Sequence, residues 1–346
     1  MILFHNDYNE VCHPQILQRM QASAGDQMPG YGVDPVCKSA ADHIRRHCGS
    51  KDLAVHFLVG GTQTNLTVIA AALRPHDAVI GAESAHINVH ETGSIEATGH
   101  KILGIPSNDG KITVDQIDEL VMSQRLSPDA EHIAKPKMVY ISNPTELGTI
   151  YKRAELQAIS QYCKDHGLLL FMDGARLGYG LAAVDNDLTL SDIAFMCDAF
   201  YIGGTKVGAM FGEAVVISNA AIAEDFRYII KQRGGMLAKG WLLGIQFQTL
   251  FESNLYFEIS KHAVSLADQI RSTLRDLGCA MLVEGSTNQI FTVLPDAVLE
   301  KLDGAFTYAL WEKVDEERSA VRFCTSWATS QESVDALCNA LKRYVQ

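Results

Sequence analysis

The 346-residue sequence is poor in the features that would assign it to an unusual class of protein. Its eight cysteines are scattered without a CxxC pair, which favours reduced, mostly buried thiols over a disulfide framework or a zinc site. No apolar run approaches the ~18 residues of a membrane span, and Met1–His5 contains neither the basic nor the apolar part of a secretory signal. A formal charge of −12 argues against nucleic acid or an anionic membrane as partner. We therefore expect a cytoplasmic enzyme.

The sequence does contain the length and composition of a globular protein with two domains. Hydrophobic residues make up 47% and charged residues 20% of the chain, which is ordinary for a folded enzyme with a large core. No repeat, low-complexity tract or Pro/Gly/Ser-rich linker divides it. Short apolar runs alternate with amphipathic segments from Leu53 to Ile202, which predicts a mostly parallel sheet covered by helices.

Two of the apolar runs end in residues suited to chemistry. Leu168–Met172 and Ala199–Ile202 have the length and flanking glycines of buried parallel strands. Ligands gather at the carboxyl ends of strands in open α/β sheets, so side chains that follow both runs should meet in one crevice. These side chains are Asp173 and Arg176 after the first run, and Thr205 and Lys206 after the second.

An acid and a lysine in this arrangement suit pyridoxal 5′-phosphate. This cofactor needs a lysine for its aldehyde and an acid that keeps its ring nitrogen protonated. The motif DGAR, followed 33 positions after its Asp173 by Lys206 of GGTKVG, resembles the fold-type I pyridoxal phosphate enzymes. Within them it resembles the low-specificity L-threonine aldolases of the β-eliminating lyase group. The resemblance covers nearly the whole chain, from Asn6 to Arg322.

The resemblance implies an aspartate aminotransferase-like α/β fold with a mostly parallel central sheet and a small α+β C-terminal domain. The expected units are an N-terminal arm (1–15), a large cofactor-binding domain (16–245), and a bridging helix with the small domain (246–346). The bridging helix is expected over Leu242–Leu277. Alternating apolar residues in Ala280–Val283 and Gln289–Val293 predict strands of the small domain.

A Gly-rich turn before the expected helix Leu66–Leu73 is the candidate phosphate site. Free N–H groups and the helix dipole favour an anion there, and the Thr62 hydroxyl adds a donor to those of Gly60 and Gly61. By itself a Gly–Gly turn is usually only a turn, and this one lacks the GxGxxG and GK[ST] patterns. Its position upstream of the acid and the lysine matches the phosphate loop of the family. Thr205 is a weaker candidate for binding the phosphate.

Two histidines are candidate catalytic residues. His86 and His90 lie four apart and would share a helix face, but the third ligand that a metal site needs is missing, so we expect no metal. The resemblance implies that His86 stacks on the cofactor ring and handles the substrate hydroxyl proton, for which a near-neutral pKa is suited. It also places His132 at a second histidine of the family. The alternatives are a core histidine for His86 and a solvated loop for His132.

The remaining candidates come from the resemblance. It implies that Arg176 contacts the cofactor's phenolic oxygen and that Arg322 binds the substrate α-carboxylate, whereas a structural ion pair is the alternative for Arg322. The resemblance also implies substrate contacts by Asn6 and Tyr31, and the alternative for both, as for Asp7, is a surface loop. Glu146 is a candidate pocket residue. The resemblance also implies a homo-oligomer, either a dimer or a homotetramer, whose active sites are shared between subunits. One of three basic residues would then contact the cofactor phosphate in the neighbouring subunit: Lys231, Arg233 or Lys239.

The expected function is cleavage of threonine, allo-threonine and related β-hydroxy-α-amino acids to glycine and an aldehyde. Asp, Lys and Arg serve β-elimination equally well, so the nearest alternative is a pyridoxal phosphate lyase acting on serine, cysteine or an aromatic amino acid. A transaminase and a non-catalytic binding protein with this fold are further alternatives. The SAH segment, which contains His86, favours the aldolase.

Overall fold

The structure is a computed structural model that describes residues 1–345. Helices and strands alternate through its first two thirds, as expected for an α/β protein. The strands are β1 Ile2–Leu3, β2 Ala54–Leu58, β3 Asp77–Ala82, β4 Lys101–Ile105, β5 Lys135–Ser142, β6 Leu169–Asp173, β7 Ala199–Gly203, β8 Glu213–Ile217, β9 Met281–Val283, β10 Gln289–Pro295, β11 Phe306–Thr307, β12 Ala309–Lys313 and β13 Arg318–Cys324. The helices are α1 Pro14–Ala22, α2 Pro35–His47, α3 Gly61–Ala72, α4 His86–Val89, α5 Val114–Arg125, α6 Arg153–His166, α7 Leu177–Ala182, α8 Leu190–Met196, α9 Ala220–Ala223, α10 Phe226–Gln232, α11 Trp241–Glu252, α12 Leu255–Asp276, α13 Asp296–Leu302 and α14 Gln331–Tyr344.

A seven-stranded sheet with the order β2-β8-β7-β6-β5-β3-β4 forms the centre of the molecule. All neighbouring strands are parallel except around β8, which is antiparallel to both β2 and β7. Strands β3, β7 and β8 are buried along their whole length, which explains their continuous apolar sequences. The predicted mostly parallel sheet is confirmed, and β6 and β7 are direct neighbours whose carboxyl ends lie at the same edge.

The small sheet, with the order β12-β13-β10-β9, is antiparallel throughout and packs against α12, α13 and α14. A second hydrophobic core lies between these elements. The beginning of the chain joins it, because β1 pairs in parallel with β11 and the fully buried Phe4 packs edge-on against Phe323. The first residues of the expected arm therefore belong structurally with the C-terminal part of the chain.

The helix expected over Leu242–Leu277 is wrong as a single element. It is broken between α11 and α12 at Asn254, whose backbone is left-handed (φ 62°). Asn tolerates this conformation better than most residues, so a break can occur without a Gly or Pro in the sequence. Even the 22-residue α12 does not meet the requirements for a membrane span, and the same holds for every other helix within residues 1–345.

Candidate active site

A cavity of about 600 Å³ opens at the carboxyl edge of the central sheet, where the small sheet faces it. Loops after β2, β5, β6 and β7 line it from the large sheet, and β12 and β13 contribute one side chain each. It brings together most of the residues predicted from the sequence: Gly60, Gly61, Thr62, His86, Glu146, Asp173, Arg176, Thr205, Lys206 and Arg322. The crevice predicted from the two strand ends is thus present.

Asp173 ends β6 and is held as a carboxylate. Oδ1 accepts hydrogen bonds from the Tyr201 hydroxyl (2.6 Å) and the Ala175 N–H (2.9 Å), and Oδ2 accepts from the Tyr140 hydroxyl (2.5 Å) and Asn65 Nδ2 (3.1 Å). Burial by itself raises the pKa of Asp173, but the two tyrosine hydroxyls and the other donors stabilise the charged form and lower the pKa overall. This buried anion can hold a proton on a ring nitrogen.

Lys206 follows β7 across a tight turn. Its carbonyl accepts a hydrogen bond from the Tyr179 hydroxyl (2.6 Å), which fixes the backbone from which the side chain extends. Burial and the nearby positive charge of Arg176 lower the pKa of the Lys206 ammonium. A lysine with a lowered pKa has more of the free amine that attacks a carbonyl carbon.

The DGAR turn needs its glycine for packing. Gly174 passes so close to β7 that a Cβ at this position would lie 1.9 Å from the carbonyl oxygen of Tyr201. Any side chain here would separate β6 from β7, and with them Asp173 from Lys206. The glycine in the motif therefore keeps the two strand ends adjacent.

The candidate phosphate loop lies at the N-terminus of α3, which begins at Gly61 rather than at Leu66 as expected. The first N–H groups of the helix have no partner within it, and those of Gly61 and Thr62 lie at the cavity. A Cβ on Gly61 would lie 3.1 Å from the Tyr201 hydroxyl, so the glycine keeps the loop close to β7. The Thr205 hydroxyl accepts from the Gly212 N–H (3.0 Å) and donates to the Gly212 carbonyl oxygen (3.5 Å), so it is bonded to the backbone of its own loop.

His86 lies at the start of α4 and is oriented by two carboxylates. Its backbone N–H donates to Glu146 Oε1 (2.9 Å), and its ring Nδ1 lies 2.8 Å from Glu91 Oε1. Burial lowers the pKa of His86, but Glu91 and Asp173 outweigh this effect, so the pKa is raised overall. Glu146 lines the cavity, and burial together with the charge of Asp173 raises the pKa of its carboxyl.

His132 is not brought to this site. It lies in a 3₁₀ turn (Ala130–His132) with 79% of its side chain exposed, and its ion contact is with Asp129 at 3.9 Å. The second imidazole at the cavity belongs to His90, whose ring centroid lies 5.6 Å from that of His86. The four-residue spacing of His90 from His86 is visible in the sequence, but by itself this spacing suggests only a metal site. No group of three or more potential metal ligands occurs in the described residues.

A buried ion pair connects the N-terminal segment to the cavity. Asp7 is fully buried. Its Oδ2 accepts hydrogen bonds from Arg176 Nε (2.7 Å) and Asn288 Nδ2 (2.9 Å), and its Oδ1 accepts from Arg176 Nη2 (3.0 Å). Burial opposes ionisation, but the Arg176 charge lowers the pKa of Asp7 to about 2. Asp7 thereby orients the guanidinium at the cavity through Nε and Nη2, and Nη1 of Arg176 makes no hydrogen bond within residues 1–345. The sequence favours a surface loop for Asp7, and its complete burial contradicts that prediction.

Arg322 has no carboxylate partner among the described residues, unlike the structural ion pair considered as its alternative. Its Nη2 donates to the His5 carbonyl (2.9 Å) and its Nη1 to Gln289 Oε1 (3.2 Å). Trp311 lies beside it, with the guanidinium 5.9 Å from the ring centroid. The positive charge of Arg322 is therefore available to an anion in the cavity.

Five predicted contact residues lie away from the cavity of their own chain. Tyr31 packs over the Lys231 ammonium (4.9 Å to the ring centroid), and the Arg233 carbonyl accepts from Gln63 Nε2 (3.2 Å) next to the phosphate loop. The N-terminal segment is represented at the cavity by Tyr8 rather than Asn6, whose Oδ1 accepts from the Tyr8 N–H (3.0 Å). The residues outside the cavity are Asn6, Tyr31, Lys231, Arg233 and Lys239.

These donors fit pyridoxal phosphate. Four groups surround one cavity: a buried carboxylate, a lysine with lowered pKa, a helix N-terminus, and an arginine without a carboxylate partner in residues 1–345. Each suits a different part of the cofactor or its amino acid substrate. The fold and this site define a pyridoxal phosphate enzyme of fold type I.

Comparison with known proteins gives the family. The model of the β-eliminating lyases matches residues 13–297, and the chain belongs to this family. A low-specificity L-threonine aldolase from Pseudomonas sp. (strain NCIMB 10558) is 30% identical, covering 96% of this chain and 94% of the relative. The structure of a Leishmania major threonine aldolase is 44% identical with a TM-score of 0.98 over both whole chains. Thermus thermophilus aspartate aminotransferase shares the fold (TM-score 0.72, 14% identity).

Proposed function

We propose that this protein is a low-specificity threonine aldolase that cleaves threonine, allo-threonine and related β-hydroxy-α-amino acids to glycine and an aldehyde. The observation that carries the proposal is the shared cavity of Asp173, Lys206 and His86, in a chain similar to threonine aldolases over its whole length. The cofactor would be held by Lys206, by Asp173 at its ring nitrogen, by Arg176 at its phenolic oxygen, and by Gly61 and Thr62 at its phosphate.

When bound, pyridoxal phosphate supplies an electron sink for the bond that breaks at the substrate Cα. The protein decides which bond that is. Arg322 binds the α-carboxylate and so sets the orientation of the substituents at Cα, and a near-attack geometry follows from this anchoring. His86 takes the proton of the β-hydroxyl as the Cα–Cβ bond breaks, while Asp173 keeps its negative charge at the ring nitrogen.

We propose that residues of a second chain complete the site. Four residues that the family resemblance assigns to contacts with cofactor or substrate lie outside the cavity of their own chain, which supports a role at the site of a neighbouring chain: Tyr31, Lys231, Arg233 and Lys239. We therefore propose a homo-oligomer, dimer or tetramer, in which a basic residue of one chain reaches the phosphate of its neighbour. Light scattering on the purified protein tests this, and a monomer that retains full activity would contradict it.

The unit boundaries at residues 15 and 245, and a cytoplasmic location, remain predictions from the sequence. Limited proteolysis with mass mapping of the stable fragments tests the boundaries. Cell fractionation tests the location, and recovery of the protein with membranes would contradict it.

Product analysis tests the proposed reaction. Purified protein, pyridoxal phosphate and threonine should give glycine and acetaldehyde in equal amounts. A lyase that eliminates the β-substituent instead would release ammonia and 2-oxobutyrate. Ammonia and oxo acid without glycine would therefore overturn the aldolase and favour the β-eliminating alternative.

A further inference from the structure

Glu91 is a buried carboxylate that none of the roles above explains. It follows α4 on the chain, and its side chain is fully enclosed, whereas 34% of the His86 side chain is exposed. Burying a charge is unfavourable unless hydrogen bonds compensate it, and here three donors do so. The groups around it are His86 Nδ1 (2.8 Å) and Asn65 Nδ2 (2.8 Å) at Oε1, and the Ser94 hydroxyl (2.6 Å) at Oε2.

Asn65 connects this carboxylate to the other end of the site. Its Nδ2 donates both to Glu91 Oε1 and to Asp173 Oδ2 (3.1 Å), so one amide bridges two buried carboxylates. A continuous chain of hydrogen bonds therefore runs from His86 through Glu91 and Asn65 to Asp173. The residue proposed to take the substrate proton and the one proposed to hold the ring-nitrogen proton are joined inside the fold.

The contact fixes the protonation of the neutral imidazole. An ionised carboxylate can only accept hydrogen bonds, so Nδ1 of His86 must carry a proton and donate it to Glu91. In neutral His86 this leaves the lone pair on Nε2, the ring nitrogen not used by Glu91. A histidine held in this way by a carboxylate acts as a base through its other nitrogen, which is the division of roles known from hydrolytic triads.

We propose that Glu91, held by Asn65 and Ser94, is a positioning residue that fixes the tautomer and the basicity of His86 for removal of the substrate hydroxyl proton. The inference rests on the proposed aldolase function, because it assigns His86 the role of base. No co-reactant is required: the proton moves from the substrate hydroxyl to Nε2, and Nδ1 keeps its proton.

Other charges also act on His86 and set the background of the test. Asp173 raises the pKa of His86, Lys206 lowers it, and Glu146 accepts the His86 backbone N–H. The neighbouring ring of His90 has its own pKa lowered by burial and by the positive charges of His86, Arg322 and Lys206. None of these groups contacts Nδ1 of His86, so a change at Glu91 alters a single direct partner of the ring.

Two substitutions should move the pKa of His86 in opposite directions. Glu91→Gln removes the negative charge beside Nδ1 and should lower the pKa of His86 by about one pH unit or more. Ser94→Ala removes a competing donor from the same carboxylate, so more of its charge acts on the imidazolium and the pKa should rise. The control Glu96→Gln makes the same chemical change at an exposed residue of the nearby 3₁₀ turn Glu96–Thr98 and should leave the pKa of His86 unchanged.

The measurement is an NMR titration of ¹³C-labelled histidine side chains, with the His86 signal identified by its loss in His86→Asn. It needs no turnover. Nitrogen shifts of neutral His86 in the wild type should show the Nδ1–H tautomer. The acid limb of the kcat/KM profile for threonine should follow the NMR shifts, to lower pH in Glu91→Gln and to higher pH in Ser94→Ala.

An Nε2–H tautomer in the wild type, or an unchanged pKa of His86 in Glu91→Gln, would overturn the proposal. Should Glu91→Gln fail to fold, Ser94→Ala decides: a rise in the pKa of His86 supports the proposal, and no change overturns it. Failure of the aldolase function itself would appear separately, as absence of glycine with the wild-type protein. A purely structural role for Glu91 would lower stability without shifts of opposite sign.

Discussion

Replacement of Asp7 by Asn tests the buried ion pair that joins the N-terminal segment to the cavity. Asn has nearly the same shape as Asp but no charge, so the change leaves the Arg176 guanidinium buried without its counter-ion. Removing one partner of a buried ion pair costs about 3–5 kcal/mol, because the remaining charge is uncompensated. Asp7 also accepts a hydrogen bond from Asn288, which directly precedes β10 of the small sheet, so loss of the carboxylate also weakens the contact of the N-terminal segment with the C-terminal part of the chain.

The pKa of Asp7 gives an independent lower figure. Its pKa falls from the usual 3.8 to about 2 in the folded protein, and a difference of this size corresponds to about 2 kcal/mol of folding free energy. Because the folded pKa is the lower one, this stabilisation is present above about pH 4 and is lost as the pH falls through 2. We therefore expect Asp7→Asn to lose about 2–5 kcal/mol at pH 7, and the difference from wild type to shrink below pH 4.

Urea unfolding of the cofactor-free protein at fixed protein concentration measures this difference. Asp26→Asn is the matched control, since Asp26 is exposed and surface substitutions usually change stability by less than about 0.5 kcal/mol. Cofactor titration should also show weaker binding in Asp7→Asn, because Arg176 loses its orientation. An Asp7→Asn protein as stable as the Asp26→Asn control at pH 7 would refute the assignment of this ion pair.

Three further substitutions address the cavity itself. Tyr201→Phe removes a hydrogen-bond donor from Asp173 and raises the pKa of that carboxyl. Because a hydrogen bond to a charged group contributes about 1.5–3 kcal/mol, cofactor binding should weaken by about tenfold to a hundredfold, as measured by titration of cofactor-free protein. Arg322→Lys should raise KM for threonine more than it lowers kcat, because a lysine cannot form two parallel hydrogen bonds to a carboxylate, and initial rates separate the two constants. In cofactor-free protein, burial raises the pKa of Glu213 from 4.5 to about 7. Between these two values the carboxyl is ionised in the unfolded chain but still protonated in the fold, so the wild type loses stability as the pH rises from 4.5 to about 7. The stability of Glu213→Gln relative to wild type should therefore increase over this range and stay constant above it, as measured by urea unfolding.

Matched controls exist for two of these changes. Tyr228→Phe removes the hydroxyl of a tyrosine that is 75% exposed, and Arg318→Lys alters an exposed arginine of the same strand as Arg322. Cofactor binding equal to wild type in Tyr201→Phe, or an unchanged KM in Arg322→Lys, would contradict the roles assigned here. A stability difference between Glu213→Gln and wild type that does not vary with pH would contradict the role assigned to Glu213.

Local signals in the sequence were sufficient for much of the fold. The apolar runs before Asp173 and Lys206 are strands because they are buried on both faces, and such runs can be recognised without knowledge of their neighbours. The helix over Arg153–His166 was predictable from its apolar spacing and ends at Gly167 in the left-handed conformation. The direction of β8 and the break at Asn254 depend on tertiary contacts and were not predictable in the same way.

The candidate site shows the same division. Residues in motifs, such as Asp173 and Lys206, could be found because their spacing is specific. The donors that hold Asp173 come from β5, α3 and β7, and no local pattern connects Tyr140 or Asn65 with it. His132 was selected by resemblance, although its own segment places it at the surface, whereas His90 reaches the cavity through the short helix after His86.

Covalent labelling of Lys206 tests the central assignment most directly. The protein is incubated with pyridoxal phosphate, reduced with borohydride, digested and mapped by mass spectrometry. A reduced cofactor adduct on the peptide that contains Lys206, lost in Lys206→Ala, is the predicted result. An adduct confined to another lysine, or none at all with folded protein, would contradict the claim that the ends of β6 and β7 form one cofactor site.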